Sequence, residues 1–234
     1  DVYKRQPWYL GSECDGGFAE YVAVAARHAH RIDSPLTDVE LASFPCSYST
    51  AENLLRRARV AAGERVLVTG ASGGVGSAAV QLARLRGAEV IAVTSPAKAE
   101  ALRALGAERT LVREDDPSAV LGRNSVDVVV DLVAGESFPA LLEVLRPGGR
   151  YATSGAIAGP LVTLDVRTLY LKDLTLLGCT ALDAGVFAAL VGYIAQGRLR
   201  PLVAATFPLA EIAAAQTAFL DKRHVGKLVL TVRN

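Results

Sequence analysis

The 234-residue chain is 51% hydrophobic and 21% charged, with a net charge of +1, an ordinary globular composition with enough apolar surface for one large or two small domains. Near-zero net charge gives no footing for nucleic acid or an anionic membrane as partner, and no uninterrupted apolar run reaches the roughly 18 residues of a membrane span. Three widely spaced cysteines, Cys14, Cys46 and Cys179, make no disulfide framework, and no signal-peptide pattern is visible, so a reducing cytoplasm is the expected setting.

The chain opens at Asp1 and contains no methionine. Its first six residues, DVYKRQ, read as translated adapter sequence and are set aside from fold reasoning, with a natural N-terminal portion expected to be missing. Gly16 and Gly17 then precede Phe18-Ala-Glu-Tyr-Val-Ala-Val24, a segment whose aromatic and β-branched residues predict a strand entered through a turn. His28 and His30 are spaced to share one side of a strand, but no Cys, Asp or Glu ligand stands at a recognisable spacing beside them, so they read as surface or packing residues. Thr37 followed by Glu40 is a capping-box signature for a helix start. Pro45 interrupts any helix across residues 37–57, which predicts two helices with a bend at Cys46. A thiol on a bend is more open to function than one in a helix core, although a small buried hydrophobe fits the same residue.

Residues 64–86, ERVLVTGASGGVGSAAVQLARLR, organise the rest of the chain. Val66 to Val68 predict a short buried strand; Val75, Ala78, Ala79, Leu82 and Ala83 recur at three- and four-residue spacing, the buried face of a helix. Between them lies a glycine turn with Gly70, Gly73, Gly74 and Gly76. Such a turn aims the free N–H groups and positive dipole end of the helix at the space above the strand, which suits a pyrophosphate. From Ala71 the letters read AxGxxG, a dinucleotide fingerprint with its first glycine replaced; from Thr69 they read TGxxxGxG.

Further strands are predicted at 89–94, 110–112, 126–131, 150–154 and 174–179, with helices at 98–105, 138–145 and 186–194; a helix at 209–221 and a strand at 227–232 close the chain. This alternation predicts an α/β fold, a doubly wound parallel sheet with ligands at the carboxyl ends of its strands. An NAD site usually carries an acidic residue about 20 residues beyond the glycines. Thr94, Ser95 and Lys98 stand there instead, two hydroxyls and an ammonium that suit a 2′-phosphate, so NADP(H) is the expected cofactor. The plainer reading is that the hydroxyls cap the next helix and the lysine is solvated.

Three enzyme classes share such a turn. Short-chain dehydrogenases need a Tyr with a Lys four residues on, and none of the seven tyrosines has one. Leu145-Arg-Pro-Gly-Gly-Arg150 suggests a methyltransferase using S-adenosylmethionine, but the glycine turn lacks the acidic residue usual there. The third class is carried by DGGFAEYV at 15–22, FPCSYSTAENLL, VLVTGASGGVGSAAVQLA, LRALGAE, VDVVVDLVAG, LRPGGRYATSG and the closing HVGKLVL. In this order they resemble the medium-chain dehydrogenase/reductase superfamily, the alcohol dehydrogenase and quinone oxidoreductase group, from Gly16 to the C-terminus.

That resemblance implies a Rossmann domain at 48–182 set into a GroES-like, β-rich catalytic domain, of which 7–47 would be the end of a largely missing N-terminal half and 183–234 the return. It implies that Ala71, Ser72, Gly73, Gly74, Val75 and Gly76 face the pyrophosphate, and that Thr94, Ser95 and Lys98 face the adenosine ribose or its phosphate. Asp131 to Val133 would border the adenosine half. Ser154, Gly155, Ala156, Cys179, Thr180 and Thr50 would lie near the nicotinamide, and Lys227 would approach the cofactor. Cys46 aligns with a catalytic zinc ligand of zinc-dependent alcohol dehydrogenases, whose other ligands would precede residue 1; the turn and the NADP preference look more like the zinc-free quinone reductases.

The implied activity is hydride transfer between NADP(H) and a small alcohol, carbonyl, enone or quinone, with Tyr48 either a proton donor in the cleft or a packing residue. A zinc-dependent alcohol dehydrogenase and a non-catalytic NADPH-binding protein are the alternatives. The family also suggests a homodimer through the apolar segment 174–179.

Overall fold

The computed structural model describes residues 9–183 and 185–232. They fall into two compact units, one of residues 45–190, the other of the residues up to Phe44 together with those from Val191 onward. The adapter-like stretch 1–6 lies outside the described residues.

In the second of these units the expected strand at 18–24 does not form: the segment bends at residues 19 and 20 and pairs with no described strand, and Phe18 and Tyr21 are 72% and 81% exposed. Strand propensity alone does not make a strand where no neighbouring edge among the described residues takes up its N–H and C=O groups. His28 and His30 are exposed, His28 closing a single 3₁₀ turn. The capping box forms as expected: Thr37 Oγ1 accepts from the Glu40 N–H at 3.3 Å, the Glu40 carboxylate accepts from the Thr37 N–H at 2.8 Å, and helix α1 runs Asp38–Ala42.

The unit of residues 45–190 begins at the predicted bend, after which α2 runs Ser47–Arg57. Its strands are β1 Arg65–Val68, β2 Glu89–Thr94, β3 Arg109–Val112, β4 Val126–Asp131, β5 Leu145–Thr153 and β6 Thr175–Gly178, paired in parallel in the order β3-β2-β1-β4-β5-β6. This is the doubly wound order whose direction reverses between β1 and β4. Helix α3, Gly74–Leu85, buries Ala78, Ala79, Leu82 and Ala83 as its periodicity requires. The helix predicted at 98–105 begins with a 3₁₀ turn, Pro96–Lys98, before α4, Ala99–Ala104. Two short helices carried too little periodicity to be seen in the sequence, α5 Pro117–Leu121 and α7 Val166–Leu171; α6, Phe138–Val144, lies between them. Strand β5 starts five residues earlier than predicted, running through the Pro147-Gly-Gly turn signal with a register shift against β4.

One buried carboxylate joins three strands at the carboxyl edge of this sheet. Asp131, fully buried at the end of β4, accepts from the hydroxyls of Thr69 after β1 and Tyr151 on β5, both at 2.5 Å, and from the N–H groups of Val133 and Ala134. Thr69 Oγ1 accepts in turn from the Leu132 N–H at 3.0 Å. Burial, then the adjacent Asp131 charge, pushes the Tyr151 phenol far up, so Tyr151 stays a neutral donor. Its ring meets Phe138 edge to face, 5.2 Å between centroids.

Helix α8 spans Val186–Ala195. In the other unit, β7 Val203–Pro208 pairs in parallel with β8 Lys227–Thr231, with α9 Ile212–Leu220 between them in sequence. The sequence predicted the last two but not β7.

Replacing Asp131 by Ala strands two hydroxyls and two N–H groups in the interior, at about 1–3 kcal/mol each before relaxation. Urea denaturation of Asp131→Ala should show a loss of about 4 kcal/mol or more, against about 1 kcal/mol for Tyr151→Phe, which removes one donor and leaves the carboxylate its other three. Equal losses would remove Asp131 from this central role.

Candidate functional site

The glycine turn sits where the strand order reverses. Thr69 donates its N–H to the Val130 carbonyl on β4, and Ala71 donates its own to the Val93 carbonyl on β2, at 3.0 and 3.2 Å. The left-handed backbone falls on Gly70, φ +58°, where a Cβ would come within 3.1 Å of Val133 Cγ2. Ala71 has no such requirement and is fully buried, which explains why the first position of the fingerprint tolerates alanine. At Gly76 an added Cβ would lie 2.3 Å from the Gly70 oxygen and 2.6 Å from Ala71 Cα, so only glycine lets α3 press against the turn. Gly73 is the N-cap residue and supplies no side-chain cap, leaving the first-turn N–H groups of Gly74, Val75 and Gly76 for an outside acceptor. With Ser72 beside them and no acidic residue in the turn, this donor set fits a pyrophosphate.

At the end of β2, Thr94 is 2% exposed and its hydroxyl has no hydrogen-bond partner. Ser95 precedes the 3₁₀ turn without capping it through its side chain, and Lys98 ends that turn half-buried. The capping explanation for the two hydroxyls is therefore not what the structure contains.

Over the other half of the sheet, the Asp131 carboxylate is fully buried and taken up by its four donors. Val133 is half-buried beside Gly70. After β5, the Ser154 hydroxyl is buried without a partner, Gly155 lies so near the loop after β4 that a Cβ would meet the Leu132 oxygen at 2.9 Å, and Ala156 is exposed. After β6, Cys179 is buried, donates its N–H to the Thr153 carbonyl at 2.9 Å, and has its thiol pushed up by that burial; Thr180 is exposed. The carboxyl edge thus brings together the residues from Ala71 to Thr180 that were assigned to the nucleotide.

The candidate catalytic residues line the start of α2. Cys46 is exposed at φ +64°, ψ −57°, with the Ser47 N–H donating back to the Pro45 carbonyl at 2.9 Å, the rare and strained form of γ-turn. Tyr48 is 2% exposed, accepts from Gln81 Nε2 of α3 at 3.0 Å, and has its phenol raised to about 12 by burial. That geometry favours the packing role. Thr50 is half-buried, one turn on. Among the described residues no group of three His, Cys, Asp or Glu is placed to hold a metal ion. Lys227, half-buried on β8, belongs to the other unit. Sequence reasoning missed Thr69 and Tyr151, whose only signal was a polar group at the end of one buried strand and within another. No helix among the described residues is long and apolar enough to cross a membrane.

Comparison with known proteins bears on this geometry. Residues 74–196 match the family described as zinc-binding dehydrogenase. The chain is 36% identical over 220 residues to the spectinabilin polyketide synthase system protein NorB of Streptomyces orinoci, covering 87% of itself but 10% of that protein. It is 33% identical over 233 residues to the acryloyl-coenzyme A reductase of Metallosphaera sedula, covering 99% of itself and 70% of the reductase. Among solved structures, a protein described as an alcohol dehydrogenase from Sinorhizobium meliloti 1021 superposes with a TM-score of 0.91 at 50% identity, over 98% of this chain and 66% of that one. The 2-octenoyl-CoA carboxylase reductase CinF, solved with NADP and 2-octenoyl-CoA, superposes with a TM-score of 0.84 at 32% identity, over 94% of this chain and 56% of that one. The chain therefore spans a tenth of the first of these relatives and about two thirds of the reductase and the dehydrogenase. With its doubly wound sheet, its glycine turn and these matches, the chain belongs to the zinc-binding dehydrogenase family, within the medium-chain dehydrogenase/reductase superfamily.

Proposed function

We propose that this chain carries the NADP(H) site of a medium-chain oxidoreductase that reduces a small α,β-unsaturated carbonyl compound, an enoyl thioester or enone. The observation that carries the cofactor is the end of β2, where a buried hydroxyl without a partner, a second hydroxyl and a half-buried lysine replace the usual carboxylate. NADP bound to CinF supports the same choice. The substrate class rests on the acryloyl-coenzyme A reductase and on the 2-octenoyl-CoA bound to CinF. Oxidation of a simple alcohol is the second reading, favoured by the alcohol dehydrogenase likeness.

When bound, the nicotinamide exchanges hydride with a substrate carbon. The chain's own residues position it. The first-turn N–H groups of α3 would hold the pyrophosphate, Thr94, Ser95 and Lys98 the ribose 2′-phosphate, with Val133 bordering the adenosine half and Ser154, Gly155, Ala156 and Thr180 enclosing the nicotinamide half. Thr50 and the exposed thiol of Cys46 would border the substrate side. Residues 7–47 and 183–234, Lys227 among them, belong in this reading to the GroES-like domain. The edge of β6, where Leu176 is 37% exposed, together with exposed Tyr170 and Leu171, is the surface on which two copies would pair.

Isothermal titration should give NADPH binding at least about tenfold tighter than NADH, with Lys98→Glu reversing the order. Tighter NADH binding by the unaltered chain would refute the cofactor assignment. NADPH oxidation on adding 2-butenoyl-CoA supports the enzyme; tight binding without turnover of enoyl thioester, quinone or aldehyde supports the non-catalytic reading. Gly76→Ala should lower NADPH affinity by about a hundredfold or more, because the helix must retreat from the turn that holds its donors over the phosphates.

A further inference from the structure

Helix α2 does more than pack on α3. Its residues Thr50, Asn53 and Arg57, at i, i+3 and i+7, share one face. Asn53 is fully buried, and its carboxamide spans two backbone groups of the segment after β6. Nδ2 donates to the Ala181 carbonyl at 3.0 Å, and Oδ1 accepts from the Asp183 N–H at 3.0 Å. One turn on, Arg57 Nη1 donates to the carbonyl of Gly178, the last residue of β6, at 2.5 Å. Cys179 is buried and tied to the Thr153 carbonyl, but residues 180–183 after it are exposed, so that part of the segment is not held by burial of its own side chains. It is held at both ends by α2, more than 120 positions away in sequence.

The chemistry of the two ends selects the residue. A carbonyl needs a donor and an N–H needs an acceptor; a short side chain supplying both is a carboxamide, whereas Asp offers acceptors only. Between the two ends lie Cys179 and Thr180, at the carboxyl end of β6. In a doubly wound sheet of this order the second half of a dinucleotide lies across β4, β5 and β6. The clamped segment is the outer wall of that half.

We infer that Asn53 and Arg57 are positioning residues for the nicotinamide half of the cofactor, fixing the backbone at 178–183 so that Thr180 meets the ligand without first being ordered. The inference rests on the NADP(H) reading above. It assigns to α2 a task separate from the grip of the glycine turn and β2 on the adenosine half, and the two halves can therefore be tested apart.

The probes are NADPH and 2′-phospho-ADP-ribose, which keeps the adenosine, 2′-phosphate and pyrophosphate but lacks the nicotinamide. Titrations of the 234-residue chain are compared with Asn53→Asp, which keeps the bond to Asp183 and turns a carboxylate on the Ala181 carbonyl, and with the milder Arg57→Ala, whose site is half-exposed. Each variant should lose about tenfold in NADPH affinity while its affinity for 2′-phospho-ADP-ribose changes by less than about twofold. Parallel losses for both ligands, or no loss for NADPH in either variant, would overturn the positioning role. An unaltered chain that binds neither probe would instead overturn the cofactor reading on which it stands. Thermal melts of both variants separate a folding defect, which weakens both ligands together, from the selective loss expected here.

Discussion

The structure of residues 45–190 depends on how much polar chemistry can be gathered at one edge of a parallel sheet without cost. A parallel sheet is apolar on both faces, and here Val66 to Val68 and Val128 to Val130 are completely buried. Polar groups can then enter only at strand ends. At the carboxyl edge the Asp131 carboxylate takes four donors from β4 and the turns or strands on either side, so a charge that would be costly alone becomes the tie between β1, β4 and β5. That tie fixes Thr69, hence Gly70, hence the point at which α3 can meet β1. The strand order reverses between β1 and β4, and the residues from Ala71 to Thr180 proposed for the nucleotide lie at this carboxyl edge of the sheet.

What the sequence disclosed and what it withheld divide along physical lines. Periodic, local features were legible: the buried face of α3, the capping box at Thr37, the break at Pro45 and the alternation that implies a parallel sheet. Each is decided by residues within one or two turns of one another. The misses were long-range or marginal. The segment at 18–24 has the composition of a strand, but a ladder requires a second edge that no local pattern specifies. Helices α5 and α7, five and six residues long, are too short for periodicity to stand out from chance. The site behaved in the same way. The glycines and the hydroxyls at Thr94 and Ser95 stood out by their spacing, whereas Asn53 stood inside the FPCSYSTAENLL motif without a role, because its partners lie 128 and 130 residues on. Asp131 was expected to border the adenosine half, and what spacing could not give is its set of four donors, drawn from distant strands as well as the loop after β4.

Helix α2 gathers tensions that a merely structural helix would not keep. Its entry passes through a γ-turn with a β-carbon-bearing residue at positive φ, a conformation that costs on the order of 1–3 kcal/mol. Buried within it, Glu52 pairs with Arg86 at 2.6 Å yet leaves its second oxygen without a partner. Tyr48 and Asn53 add two more buried polar groups, each held by a specific bond. Such a set narrows the ways α2 can sit against α3 and the segment after β6, since any slip breaks several bonds together. The strained start and the clamped face are thus parts of one helix, which also bears Cys46 and Thr50, the residues proposed for the substrate side.

Two hydroxyls at the same sheet edge, those of Thr94 and Ser154, stay outside this web of bonds. Each is buried and unpaired, each stands just at or past the carboxyl end of a strand, and they fall on opposite sides of the β1–β4 reversal. An unsatisfied buried hydroxyl costs about 1–3 kcal/mol, so two of them are a sizeable fraction of what a domain of this size retains as net stability. Random defects of packing would scatter through the sheet, and among the described residues the strand interiors hold none of this kind. A ligand that offers acceptors and hydroxyls along the crevice would relieve both at once, and because it binds only the folded chain, that relief would register as added stability. In the reading proposed above, the two residues whose hydroxyls lack partners in the chain would each meet one half of a dinucleotide, on either side of β1 and β4.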